Sequence, residues 1–179
     1  MKGNPFKVFM FKNKNDYDGL YNSYNAERTW GPNGPEVRGH EGIDIMSDYG
    51  TPIYAVASGT IARFGWNQYG GWRINIRLDN ANYYTYYAHM SKYAPGMHLG
   101  KHVEAGELIG YVGDTGYGPE GTSGKFAPHL HFGLYDLNKG INAVNNNQKL
   151  NRLIEGNSKY KTSPVQKIGI KICQFELSN

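Results

Sequence analysis

The stretch that most constrains the fold runs from Trp72 to Met90. In WRINIRLDN (residues 72–80), Trp72, Ile74, Ile76 and Leu78 fall on one face of an extended chain, and Arg73, Asn75, Arg77 and Asp79 on the other. A period of two is the signature of a strand with one buried face. An Asp79–Asn80 turn then leads into NYYTYYAHM (82–90), which reads as the antiparallel partner of a hairpin. Short β segments and turns recur on both sides. GIDIM (42–46) is a strand ended by SDYGTP, and IYAVASGTIARFGW (53–66) holds two segments about a Ser58–Gly59 turn. HVEAGELIGYVGDTG (102–116) gives further short strands, and the loop GYGPEGTSGKFAP (116–128) precedes the strand HLHFGLY (129–135). The expected fold is all-β and mainly antiparallel: a small sandwich or barrel of short strands, with long loops forming a groove. A chain of 179 residues with 24 Gly and 15 Tyr fits one turn-rich domain with a sizeable core.

Outside these strands the expectations are looser. FKVFMF (6–11) reads as one strand in an amino-terminal extension over residues 1–28. TWGPNGPEVRGH (29–40), with two Pro and three Gly, reads as a loop. The domain proper is expected over 29–141, followed by a carboxy-terminal extension over 142–179 that packs on it. Within that extension the Asn-rich stretch 142–151 reads as a solvated connection, helix or loop, and IGIKICQFEL as a last strand.

Composition narrows the classes of function. A formal net charge of +4, with scattered Lys and Arg, is mild for nucleic-acid binding and suits an anionic polymer such as a cell wall. No apolar run approaches the roughly 20 residues of a membrane span. The single cysteine, Cys173, excludes an internal disulfide and is expected to be an inert buried thiol. The first residues are too few and too charged for a signal peptide, so the expectation is export by another route or a piece of something longer.

The chemistry is carried by HEGID (40–44) and HLH (129–131). On a strand, His129 and His131 share a face with Leu130 turned behind; His40 and Asp44 also share one, with Gly42 between them leaving room for an ion. Catalytic zinc takes three protein ligands and keeps a fourth position for water. His40, Asp44, His89, His129 and His131 exceed that need, which makes sense if two histidines handle protons instead. The residues alone leave open which histidine of HLH is the ligand.

HEGID, YYAHM (86–90), GELIGYVGDTG (106–116) and PHLHFGL (128–134), in that order and spacing, resemble the lysostaphin-type zinc endopeptidases of bacterial cell walls. The resemblance implies that His40, Asp44 and His131 bind Zn2+, with His89 and His129 as the catalytic pair that does not. It implies hydrolysis of a peptide bond in peptidoglycan cross-bridges or stems by a metal-activated water. The partner would be that peptide, with no nucleic acid and no membrane span; the protein would be a monomer, extracellular, at the cell wall, or virion-associated if phage-encoded. The rival reading is a non-catalytic structural or binding module on the same fold, such as a phage tail or envelope-assembly component.

Two departures from the motif stand out. Residues 117–127 are long and are expected to wall the groove, while His98 and His102 read as surface histidines. Tyr83, Tyr84, Tyr86 and Tyr87 are expected to pack the sheet, with Trp66, Tyr69 and Tyr117 better placed as groove residues.

Overall fold

Alternation along the chain becomes a sheet with two unlike faces. The computed structural model describes residues 3–138, 140–157 and 159. The expected hairpin is β6 (Gly71–Leu78) and β7 (Tyr83–Tyr93), in a register that sets Ile76 opposite Thr85 and Arg77 opposite Tyr84. β5 (Gly59–Asn67) extends the sheet beyond β6 and takes the short β8 (His102–Val103) on its outer edge. On the other side β7 pairs with β10 (His129–Asp136), whose far edge carries β3 (Ile43–Met46) and then β11 (Asn142–Ala143). The end of β7 also pairs with β9 (Leu108–Val112), and β9 with β4 (Pro52–Tyr54). The expected sandwich or barrel is thus one nine-stranded antiparallel sheet, accompanied by a two-stranded one.

One face of the large sheet is the core. Ile43 and Ile45, Ile74 and Ile76, Thr85 and Tyr87, and Leu130, Phe132 and Leu134 are all buried there. The residues between them, Asp44, Asn75, Tyr86, His129 and His131, line a cavity on the opposite face. Trading the two sets would take a one-residue slip, which the buried face forbids.

Three expectations are corrected. FKVFMF forms no strand, because Phe6, Phe9, Met10 and Phe11 are all buried and leave no alternate solvent face. The segment lies irregularly over the core, with Phe6 edge-on to Phe132 at 5.6 Å between centroids and Lys7 N donating to Val56 O at 2.8 Å. TWGPNGPEVRGH is a hairpin, β1 (Glu27–Gly31) and β2 (Gly34–Gly39), in which Pro32 and Asn33 make the turn and Gly34 takes φ +116°. The Asn-rich connection is not simply solvated. Its α1 (Asn147–Glu155) buries Leu150, and the buried Asn146 donates Nδ2 to Phe132 O at 3.2 Å. The expected last strand and Cys173 lie outside the described residues.

Candidate metal centre

Register brings the two motifs together. In the antiparallel pairing of β3 with β10, Asp44 stands opposite His131, and His40 enters from the turn that follows β2. His40 Nε2, Asp44 Oδ1 and His131 Nδ1 form a near-equilateral triangle: 3.0 Å from His40 to Asp44, 2.9 Å from His40 to His131 and 3.1 Å from His131 to Asp44. Ligand bonds of 2.0–2.2 Å in a tetrahedral site imply ligand–ligand edges of about 3.3 Å. The three atoms therefore have the dimensions of one face of such a tetrahedron, and the group could hold a metal ion.

Hydrogen bonds around the triangle prepare its lone pairs. His40 Nδ1 lies 2.7 Å from Ser23 O, a carbonyl that only accepts, so the proton sits on Nδ1 and Nε2 is bare. Arg28 Nη2 donates to Asp44 Oδ2 at 2.7 Å, which leaves Oδ1 for the cluster. The Asp44 backbone N–H donates to Ser23 Oγ at 3.0 Å. Burial would raise the Asp44 pKa, but His129, His131 and His40 together hold it well below the usual carboxylate range. Burial pushes the His131 imidazole down to about 4, so it is neutral and offers a lone pair at pH 7. Gly42 does not leave room for an ion, as the spacing suggested. The His131 ring occupies that room: a Cβ at 42 would lie 2.7 Å from His131 Nε2 and 2.7 Å from Phe132 O.

His89 and His129 stand beside the triangle, their ring centroids 4.7 Å apart. Both are anchored alike, His89 Nδ1 on Thr115 O at 2.7 Å and His129 Nδ1 on Ala127 O at 2.8 Å, so in the neutral ring of each the proton sits on Nδ1 and Nε2 carries the lone pair. His129 Nε2 lies 3.6 Å from Asp44 Oδ1. Burial, seconded by His129 and His131, holds the His89 pKa well below the ordinary imidazole range. A β-bulge turns His89 into place: between the pairs Trp72–Met90 and Ile74–Tyr87, Ala88 and His89 together oppose Arg73. His89 there adopts φ +61°, and its N donates to Gly70 O at 2.6 Å.

The cavity around these groups measures about 570 Å³. Tyr117 and Phe126, from the long 117–127 loop, form one wall, as expected, with the Phe126 ring 4.5 Å from that of His89. Of the aromatic groove residues, Tyr69 and Tyr117 line the cavity. Trp66 instead packs edge-on to Trp72 and donates Nε1 to Gly118 O at 3.2 Å. The tyrosine run divides: Tyr87 is in the core, where its hydroxyl accepts Val56 N at 2.9 Å, and Tyr83 packs against the core, whereas Tyr84 and Tyr86 line the cavity. Gly70 permits this, since a Cβ there would lie 1.9 Å from Tyr86 Oη. His98 and His102 are exposed on the surface.

Sequence reasoning missed Arg28, Glu36 and Arg38. Glu36, Arg38 and His40 fall at i, i+2 and i+4, the period of a strand, but two prolines and three glycines obscured it. Glu36 accepts the Tyr69 hydroxyl at 2.9 Å, which raises the Tyr69 pKa, and Arg38 Nη2 donates to Tyr117 Oη at 2.7 Å.

The chain matches the model of Peptidase family M23 over residues 38–147. It is similar to the L-Ala–D-Glu endopeptidase of Bacillus subtilis (strain 168), 47% identical over 121 residues that make up 64% of this chain and 36% of that protein. It is 37% identical over 114 residues to lysostaphin of Staphylococcus simulans, covering 62% of this chain and 21% of that one. The chain thus spans little more than a third, or less, of these relatives' length. The crystallised catalytic domain of Staphylococcus simulans lysostaphin superimposes with a TM-score of 0.58 at 30% identity, over 76% of this chain and 94% of that domain.

Proposed function

The chain belongs to peptidase family M23, and from that premise we propose that it is a zinc-dependent endopeptidase that hydrolyses peptide bonds in the cross-bridges or stems of peptidoglycan. The observation that carries this reading is the triangle of His40 Nε2, Asp44 Oδ1 and His131 Nδ1 at 2.9–3.1 Å, with two further imidazoles anchored beside it. Two nitrogens and one carboxylate oxygen are a donor set suited to zinc. Bound there, zinc supplies a Lewis acid that brings the pKa of a water toward neutrality and polarises the scissile carbonyl.

The remaining work belongs to the chain. Arg28 keeps the Asp44 carboxylate oriented, and Ser23 O fixes the His40 tautomer. His129 and His89, each with a bare Nε2, take the proton from the attacking water and return one to the leaving amine. Tyr69, Tyr84, Tyr86 and Tyr117 bound the cavity that receives the peptide. The catalytic unit is residues 29–141, flanked by 1–28 and by 142–179. The buried Phe6, Phe9, Met10, Phe11 and Tyr17 support reading the first flank as packed on it, and the buried Leu150 does so for the described part of the second. The protein acts as a monomer at the cell wall.

The test is metal content together with digestion of purified sacculi, with and without chelator. One zinc per chain and chelator-sensitive clearing are expected. His131→Ala should lose both metal and activity, whereas His129→Ala and His89→Ala should keep metal and lose activity. Loss of metal from the His89 variant would overturn the division of roles.

A further inference from the structure

Four arginines line the cavity, and two are engaged: Arg28 with Asp44, and Arg38 with Glu36 and the Tyr117 hydroxyl. Arg63 and Arg73, at the far side, have no ion-pair partner among the described residues. Among the described residues, Arg73 Nη1, the neighbouring Asn75 Oδ1 and, on the other side of the cavity, Arg38 Nε are buried without a hydrogen-bond partner. Buried polar atoms are nearly always paired, so the orphaned guanidinium donor of Arg73 calls for an acceptor from a ligand; the Asn75 oxygen is itself an acceptor and a carboxylate does not satisfy it.

The sheet is built to aim these groups. In β5 the register shifts between Ile61, opposite Ile76, and Arg63, opposite Asn75. The extra residue, Ala62, brings Arg63 onto the cavity face. Arg73 sits across from the bulge at Ala88 and His89 described above. Bulges beside active sites typically re-aim a side chain in this way. The backbone at this point is clamped, because Tyr93 Oη donates to Arg73 O at 3.0 Å and accepts from Gly65 N at 3.1 Å. Glu41, the other acidic residue of the cavity, is hydrogen-bonded to Tyr135 at 3.2 Å.

The row of the sheet that holds Arg73 continues through Ala88 to His131 and Asp44. Arg73 therefore stands two strands from His131, about 10 Å at the usual strand spacing. An extended peptide covers about 3.3–3.6 Å per residue. With the arginine's own length added, a carboxylate one or two residues from the scissile bond comes within reach of the guanidinium fork.

We propose that Arg63 and Arg73 form a carboxylate subsite, so that the peptide taken by this groove carries a free carboxylate one or two residues from the scissile bond and is not a neutral oligoglycine strand. Arginine binds a carboxylate through paired, charge-assisted hydrogen bonds. The proposal rests on the endopeptidase reading above and narrows it to a substrate class.

The test uses the full chain loaded with zinc and three probes: a wall stem peptide with its glutamyl carboxylate free, the same peptide as the carboxamide, and pentaglycine capped at both ends. The acid should be cut with a kcat/KM about tenfold or more above the amide, as a charge-assisted contact allows, and pentaglycine slowest. Arg63→Gln combined with Arg73→Gln should bring the acid-to-amide ratio close to one, and Arg73→Lys should leave it intermediate. Equal rates for acid and amide in the wild type, or a ratio unchanged by the double substitution, would overturn the subsite while leaving the endopeptidase standing. If no peptide and no sacculus is cut, the endopeptidase reading fails instead. Calorimetric binding of the acid and amide peptides to the full chain then decides the subsite, with about tenfold tighter binding of the acid supporting it and equal affinity overturning it.

Discussion

Thr115→Val removes one oxygen from the loop beneath His89 and replaces it with a methyl of similar size. Thr115 Oγ1 donates to Met90 O at 2.8 Å and accepts from Trp72 N at 3.2 Å, and Thr115 O holds His89 Nδ1 at 2.7 Å. The residue is 7% exposed, so water has little access to the two groups left behind. Each unsatisfied buried group costs about 1–3 kcal/mol, which puts the loss of stability from the two at about 2–6 kcal/mol. For a chain of this size that is a fall in Tm of roughly 5–15 °C. The carbonyl that anchors His89 would shift with the loop, and a displacement of about 1 Å at a catalytic group can cost 100-fold. The expected result is a 10- to 100-fold drop in kcat with zinc still bound, since Thr115 touches no member of the triangle. Thermal unfolding, metal analysis and turnover on one peptide measure all three, and Thr115→Ser, which keeps the hydroxyl, should recover most of the loss. An unchanged kcat with an unchanged Tm would refute the anchoring argument; so would loss of the metal in a folded variant.

Two further outcomes are expected. Gly42→Ala places a methyl 2.7 Å from the Phe132 carbonyl, a backbone atom that cannot rotate away. It should destabilise by about 1–3 kcal/mol and displace His131, with weaker zinc binding seen by competition with a chromophoric chelator; wild-type affinity would show that the strand gives way at no cost to the site. On the surface, the His102 pKa is raised, first by its hydrogen bond to Asp79 at 2.8 Å and further by Glu104. Its contribution to stability is full below the ordinary value of about 6.5 and lost as pH rises through the higher folded value. NMR titration of Asp79→Asn should bring the His102 midpoint back toward 6.5, and an unmoved midpoint would assign the shift to another group.

Some of this protein was legible in one dimension because the relevant physics is local. A buried strand face demands alternation, so WRINIRLDN and HLHFGLY announced their strands and placed His129 and His131 on the face opposite Leu130 and Phe132. The same alternation could not say that the polar side of β6 is a cavity floor, because that depends on which strands lie beside it.

What the tertiary structure decided is long-range. The His131–Asp44 register joins residues 87 positions apart in the chain. Arg28 reaches Asp44 only because a Pro- and Gly-rich segment closes into a hairpin, and Phe6, Phe9 and Phe11 find their place under a sheet whose strands all come later. Bulges are the clearest case: the irregular pairing at Ala62, and at Ala88 and His89, is a property of two strands in register. Residue types and periodicity thus determined which side chains were available for chemistry and on which face they stood. Pairing between distant segments determined which of them meet.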